Sequence, residues 1–531
     1  MSLSRMSFER KLAAAGVTLV LAFAAGCGAG YRPVVTPTNP SGPPAQPSSY
    51  ATVVSSTSPT SPGTVNIIDY SGDTVLAQAP VGPGPLALTL DQSGVNGFVF
   101  NSDGTISDFP ANGTLQANKV VVTTLPANAQ PFGFMSPTSA LWATDLNSNA
   151  VDIFTGSQPA IFKLSVPVDP TPIMTVGPIV TGQRNYAITQ GTVSGPTACN
   201  TAPTSGPDGV ADAIEVASET VSNKITVGKC PVFAVQSPDG RRVYVLNRGD
   251  DTISVINSQA NTPNNQCPTG CVNQSGQTYF SHPLLPLSTA GLAVSCPATA
   301  TPPNTNQCSE PPNLSTANFQ AVAGPVYAEF NVATNQLVVA DFDGGTISII
   351  DVSLDEYGND SATFGTTYTV KVGNGSKPNP ASVTVLYDGS RAYTANQNDD
   401  STNNGTGNGT VTIVNLASHT VEKTLQVNGH PRTVASTQNS EQGKVYVASP
   451  DSPYLTIIRT DQDIVDTTVL VQGNVVDVRV SSQSGTAGNA NILSRKPGYG
   501  QPCNLSAQQY AAAGTTPSTL EQCQAQTLPL P

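Results

Sequence analysis

Four charged side chains, Glu329, Arg432, Asp477 and Arg479, fall on three short segments that are otherwise rich in Val, Ala and Thr. Acids and arginines brought together on one wall could do acid–base work or hold a ligand by charge-assisted hydrogen bonds. The plainer alternative is that they pair with each other or with solvent. Other chemistries lose support from what is missing. There is no G-x-x-x-x-G-K-[ST], G-x-S-x-G or H-E-x-x-H pattern, and the three histidines, His282, His419 and His430, are scattered and read as surface residues. Haem, copper and zinc sites lean on His and Cys ligands at set spacings, so no metal and no cofactor are expected. Asp400-Ser-Thr-Asn-Asn-Gly405 starts like a calcium loop, but Val411 stands where a bidentate Glu is needed. Arg248-Gly-Asp250 falls where a polar turn is required and is read as that turn.

The elements that position these residues are strands. Charged residues make up only 11% of 531, Gly (46) and Pro (45) are abundant, and the remainder is rich in Thr, Ser, Asn and Val, a composition of many short strands and turns. The stretch 237–257, SPDGRRVYVLNRGDDTISVIN, sets the pattern of a turn, a strand, a polar turn and a second alternating strand. It recurs as QLVVADFDGGTISIIDV (336–352), as DGSRAYTAN leading into GTVTIVN (388–415), and as GKVYVASPDSPYLTIIR (443–459). Asp-Gly at 239–240 and 388–389 suits the positive φ angles of a tight hairpin. A further strand opens near a proline before each phrase (Pro231, Pro325, Pro380, Pro431), and an outer strand often ending in Val-Gly follows it (225–228, 368–373).

Four short strands per repeat of about 40 to 50 residues describe a propeller blade. The template places blades at 84–125, 130–169, 171–228, 231–290, 320–373, 380–428 and 431–472. Residues 51–82 supply three more strands and 474–483 one inner strand. Joined, these make an eighth blade that closes the ring and hides its free edge. The expected fold is therefore all-β, a closed β-propeller over 51–483 with eight blades, or seven if 130–169 and 171–228 are not separate units.

The first 27 residues place Arg5, Arg10 and Lys11 before an uncharged run, Leu12 to Ala25, too short for a comfortable membrane span. The run ends at Gly26-Cys27, which resembles the lipobox of bacterial lipoproteins, with Ala24 where that family prefers Leu. The resemblance implies that Cys27 becomes a lipidated N-terminus and that 1–27 is a signal peptide. Residues 28–50, rich in Pro, Ser and Thr, then form a tether. Without the signal's three basic residues and Glu9 the chain keeps 19 basic against 34 acidic residues, a net charge of −15, which disfavours nucleic acid as a partner.

Eight cysteines remain beside Cys27, an even number that suits disulfides in an exported chain. Proximity suggests Cys199 with Cys230, Cys267 with Cys271, Cys296 with Cys308, and Cys503 with Cys523. Four of them lie in a long insertion at about 258–318, and two in a tail at 484–531.

Tyr244-Val-Leu-Asn247 and Tyr393-Thr-Ala-Asn396, with their flanking turns and strands, resemble the YVTN-type β-propeller repeat of exported bacterial and archaeal surface proteins. The resemblance implies a propeller at the cell envelope, and it is specific for fold rather than function. The leading expectation is a non-enzymatic, lipid-anchored binding or scaffold module for an envelope protein or a glycan, acting through one rim and the cysteine-rich insertion. A lactonase-like hydrolase using Glu329, Asp477 and Arg479 at the channel, and a surface-coat component, are the alternatives.

Overall fold

Every residue of the strand Arg242–Asn247 is buried, so it needs apolar cover on both faces. The computed structural model supplies that cover with sheets packed face to face. It describes residues 49–482 apart from 91–95, 127–130, 135–140, 156–158, 178–183, 194–198, 200–205, 268–269, 296–319, 400–408, 438–442 and the single positions 238, 274, 332, 356 and 387. Val243 and Val245 belong to the hydrophobic cluster shared with the preceding sheet, Tyr244 and Leu246 to the cluster shared with the next. The two-residue period of the strand thus serves two interfaces at once.

Eight antiparallel sheets repeat this arrangement. Blades 1 to 7 span 85–124, 131–167, 172–229, 231–286, 325–371, 380–426 and 433–470. Blade 8 is built from both ends of the propeller: Asn474–Ser482 is its inner strand, paired with Ser49–Ser56, and Pro62–Asp69 and Val75–Pro83 complete it. The seven-blade alternative is excluded, because 131–167 and 172–229 each form a full four-stranded sheet. One hydrophobic cluster sits at each of the eight interfaces between neighbouring blades, so the core is a ring of wedges.

Strand starts follow from local backbone chemistry. Gly84, Thr171, Cys230, Gly324 and Asn379 all have positive φ and are each followed by the proline that opens an inner strand. The pairing register slips just after Pro85, Pro172, Pro231, Pro325 and Pro380, a bulge that turns the strand into the channel. At the hairpins only Gly240 and Gly389 are left-handed, not the preceding aspartates, so each Asp-Gly supplies one positive φ angle where the sequence suggested two.

The long insertion is divided by the blade it interrupts. Leu284–Pro286 pairs with Thr252–Asn257 as the outer strand of blade 4. Residues 258–283 therefore form one loop, and the chain after 286 runs through a short helix, Thr289–Ser295, towards blade 5. Cys27, the tether up to residue 48 and the tail after 482 lie outside the described residues.

Candidate functional site

The inner strands present one unpaired edge to the channel, and unpaired backbone groups are costly unless something satisfies them. Side chains of the neighbouring blade do so. Asp477 accepts the Leu88 N–H at 3.1 Å, the Ser382 hydroxyl accepts the Val434 N–H at 3.1 Å, and the Met174 sulfur lies 3.1 Å from the Ala234 nitrogen. All three side chains occupy the same register position in their strands. Three channel charges therefore have backbone partners. Asp477 accepts Leu88 N, while Arg479 Nε donates to Leu88 O at 3.1 Å and pairs with Asp477 at 3.3 Å. Glu329 accepts from Val385 N at 3.1 Å and from the Thr384 hydroxyl at 3.4 Å in blade 6.

Among the described residues an interaction also reaches across the channel: the Tyr327 hydroxyl of blade 5 interacts with the Arg479 guanidinium of blade 8, which is not its neighbour in the ring. Burial pushes the Tyr327 hydroxyl up to about 12. Burial also works against the Arg479 charge, but Asp477 and Tyr327 outweigh it and raise the guanidinium further above its ordinary value. Phe233 packs beside Tyr327 with centroids 4.6 Å apart. Asp477 and Arg479 thus converge, and Glu329 is tied to blade 6. Arg432, expected on an inner strand, is exposed one residue before Thr433–Ser436, and its side chain has no partner among the described residues.

Two of the expected disulfides are formed, Cys199–Cys230 and Cys267–Cys271. Cys296, Cys308, Cys503 and Cys523 lie outside the described residues. His282 corrects the expectation of three surface histidines. Its ring is buried, bonds Asp360 through Nδ1 at 3.0 Å and stacks on Phe364, because the 258–283 loop folds down onto blade 5. Arg248 of the RGD triplet pairs with Asp343 at 2.8 Å, and Asp250 accepts the Lys229 N–H, so the triplet is a bonded turn.

The repeat's own residues pin both ends of the blades. At the end carrying the turns between second and third strands, Asn247, Asn396 and Asn101 each donate to two hydroxyls of the next strand at 2.8 to 3.1 Å. The second of these hydroxyls accepts an N–H from the glycine that ends the preceding blade, Gly228, Gly373 and Gly82 respectively. A Cβ on Gly82 would come within 2.4 Å of the Asn101 amide, which explains the Val-Gly endings.

At the opposite end a basic residue two before the repeat's tyrosine reaches the third-to-outer turn of the next blade. Arg184 donates to Ser258 O at 2.8 Å, Arg391 to Thr460 O at 2.9 Å, and Lys444 to Tyr70 O at 2.7 Å. Three residues beyond each carbonyl stands a left-handed Asn or Asp: Asn261, Asp463 and Asp73. Tyr186 bonds Asn261 at 3.3 Å, Arg391 and Tyr393 both bond Asp463, and Lys444 bonds Asp73 at 2.5 Å. Arg242 makes the equivalent link to Gly358 O and Asp360 at 3.1 and 3.2 Å.

The interface between blades 5 and 6 lacks this clasp. Gln336 stands where the basic residue should be, Val338 replaces the tyrosine, and His419, left-handed like Asp463, replaces the acid. A cavity of about 320 Å³ opens there, lined by Gln336 and His419 and by Asp351, Thr366 and Tyr368. Tyr368 stacks on His419 with centroids 3.8 Å apart. Nothing in the sequence taken alone pointed to this cleft. The signal was present, though: blades 3, 4, 6 and 7 carry Arg184, Arg242, Arg391 and Lys444 at one position of the second strand where blade 5 carries Gln336, and the left-handed Asn261, Asp463 and Asp73 give way to His419.

Solved structures with this architecture include apo AztD from Citrobacter koseri (TM-score 0.51, 10% identity, 82% of this chain and 99% of that one). Dihydro-heme d1 dehydrogenase NirN in complex with DHE is similar too (TM-score 0.52, 11% identity, 85% of this chain and 78% of that one). At such identities the likeness is one of fold. No family model and no curated protein matches the sequence.

Proposed function

We propose that this chain is an exported propeller of the YVTN type, held at the cell envelope by lipid on Cys27, and that it works as a non-enzymatic binding or scaffold module for a protein or a glycan. The observation that carries this reading is how the channel charges are bonded. Asp477 and Glu329 accept backbone N–H groups of the neighbouring blades, and Arg479 is held by Asp477, Leu88 O and Tyr327. Groups spent on closing the ring are poorly placed to act as acid or base. The two disulfides point to an oxidising, exported location, in keeping with the secretory layout of the N-terminus. No helix among the described residues is long and apolar enough to cross a membrane.

Crosslinking on intact cells, followed by purification and mass spectrometry, tests the reading. One dominant partner attached through the 258–318 insertion or a neighbouring rim loop supports it. Crosslinks only between copies would favour a surface coat, and lactone hydrolysis that is lost in Asp477→Asn would favour the hydrolase. Cys27→Ser should release the protein from membranes. A variant that still pellets with membranes after a high-salt wash refutes the anchor.

A further inference from the structure

The missing clasp between blades 5 and 6 leaves more than an empty space. The cleft carries an aromatic surface, Tyr368 stacked on His419, with Tyr368 itself 40% exposed. Around it stand groups that both donate and accept, the Gln336 amide and the hydroxyls of Thr334, Thr363 and Thr366, together with the acceptor Asp351. The Thr366 hydroxyl is buried with no hydrogen-bond partner, and a buried hydroxyl left unpaired costs stability unless something binds it. No Lys or Arg lines the cavity, so nothing there favours phosphate, sulfate or carboxylate. Burial lowers the His419 pKa, which keeps the imidazole an uncharged ring at neutral pH.

An apolar ring face beside a rim of groups able both to donate and accept complements one class of molecule above others. A sugar ring presents a C–H face on one side and hydroxyls around its edge. We propose that the cleft between blades 5 and 6 binds an uncharged saccharide, with Tyr368 and His419 as the stacking surface and Gln336, Asp351 and Thr366 as hydrogen-bonding groups. The volume lies at the small end of ligand sites, so the occupant is a short saccharide or the end of a longer glycan. This rests on the binding-module reading above and names the ligand class for one site within it.

Saturation-transfer NMR on the purified mature chain, with a panel of neutral mono- and disaccharides, tests the proposal. At least one sugar should give transfer, weakened about tenfold or more in Tyr368→Ala. Thr366→Val should weaken it as well without lowering the melting temperature, because it removes an unpaired hydroxyl. Gln336→Arg combined with His419→Asp, which installs the clasp residues of the interface between blades 6 and 7, should abolish binding while the propeller melts no lower. No transfer from any sugar overturns the proposal, and so does binding that survives both Tyr368→Ala and the clasp-restoring pair. Either failure leaves the crosslinking result untouched, so the loss of this site and the loss of the binding-module reading are told apart.

Discussion

The interface between blades 6 and 7 and the one between blades 5 and 6 have the same strand geometry and opposite lower ends. In the first, Arg391 and Tyr393 converge on Asp463, and Arg391 also reaches Thr460 O. In the second, Gln336 bonds only within its own blade, accepting from Thr334 and Asn331, and a cleft stands beside it. Both interfaces keep an intact hydrophobic cluster. The apolar wedge therefore suffices to place neighbouring blades, and the polar clasp is an addition that an interface can do without; between blades 5 and 6 its place is taken by a cleft. Stability is commonly given up at functional sites in this way.

The severest break to that comparison is to open the ring, which asks whether the interfaces stand independently. Deleting 474–483 removes Val475, Val478 and Val480 from the cluster between blades 7 and 8, strips Leu88 of its partners, and leaves Ser49–Ser56 as a bare edge. Cooperative thermal unfolding, followed by circular dichroism, should be lost. Deleting 484–531 should leave the melt unchanged. If both truncations melt like the full chain, closure does not hold the ring.

A second contrast lies at the upper ends of the same blades. Where blade 6 has Asn396 donating to Thr410 and Thr412, blade 5 has Asp341 accepting from Thr346 and Ser348. Burial pushes the Asp341 carboxyl up to about 7. Between about pH 4 and 7 the folded state then holds a proton that the unfolded state has released, so stability falls as pH rises through that window and is flat above it. Asp152 and Asp212, each raised to about 6 by burial, act in the same direction. Asp341→Asn installs the residue used by blade 6. It should remove the largest share of the slope, at most about 3 kcal/mol of the difference read from urea unfolding at pH 5 and pH 8. An unchanged slope would mean that Asp341 is ionised in the folded protein.

Truncating the clasp itself should cost less. Arg391 and Asp463 are each about one-sixth exposed or less, so a fully buried pair overstates their worth. Arg391→Ala is expected to lower stability by about 2 kcal/mol, and a double-mutant cycle with Asp463→Ala should show coupling of similar size. Gln336→Ala at the unclasped interface should stay within about 0.5 kcal/mol. Equal losses at the two positions would make the clasp incidental.

Much of this was legible in the sequence, for reasons that are local. Proline opens most of the inner strands, the recurring turn–strand–turn–strand phrase marks the second and third strands of several blades, and the odd strand at 474–483 matched the blade that began without one. The two short-range disulfides were legible because Cys199 and Cys230 flank a single blade end, and Cys267 and Cys271 a single turn. What stayed hidden depends on which blades become neighbours and on what faces what across the ring. Tyr327 meets Arg479 only because 152 residues of chain bend into an arc, and His282 is buried only because its loop folds back over blade 5. Arg391 and Asp463 lie 72 residues apart, so their partnership reads as noise until the blades are laid in register.

The smallest expected gain is also the sharpest test of the comparison. If the cleft exists because Gln336 and His419 replaced clasp residues, then Gln336→Arg with His419→Asp should recreate the pairing of Arg391 with Asp463 between blades 5 and 6. The new aspartate would occupy a left-handed position, which Asp already fills at 463 and 73. The new guanidinium would reach for Leu416 O, the counterpart of Thr460 O three residues before the acid. A gain of about 1 kcal/mol is expected, since cap and charge optimisation of this kind yields increments of that order. Each single variant should gain less than the pair, because a lone aspartate at 419 meets no cation in the cleft and a lone arginine at 336 meets only Asp351 across the strand. A double variant no more stable than the better single would mean that the backbone of blade 6 cannot accept the clasp, and that the cleft owes its shape to the turn at 416–419 rather than to the two side chains that line it.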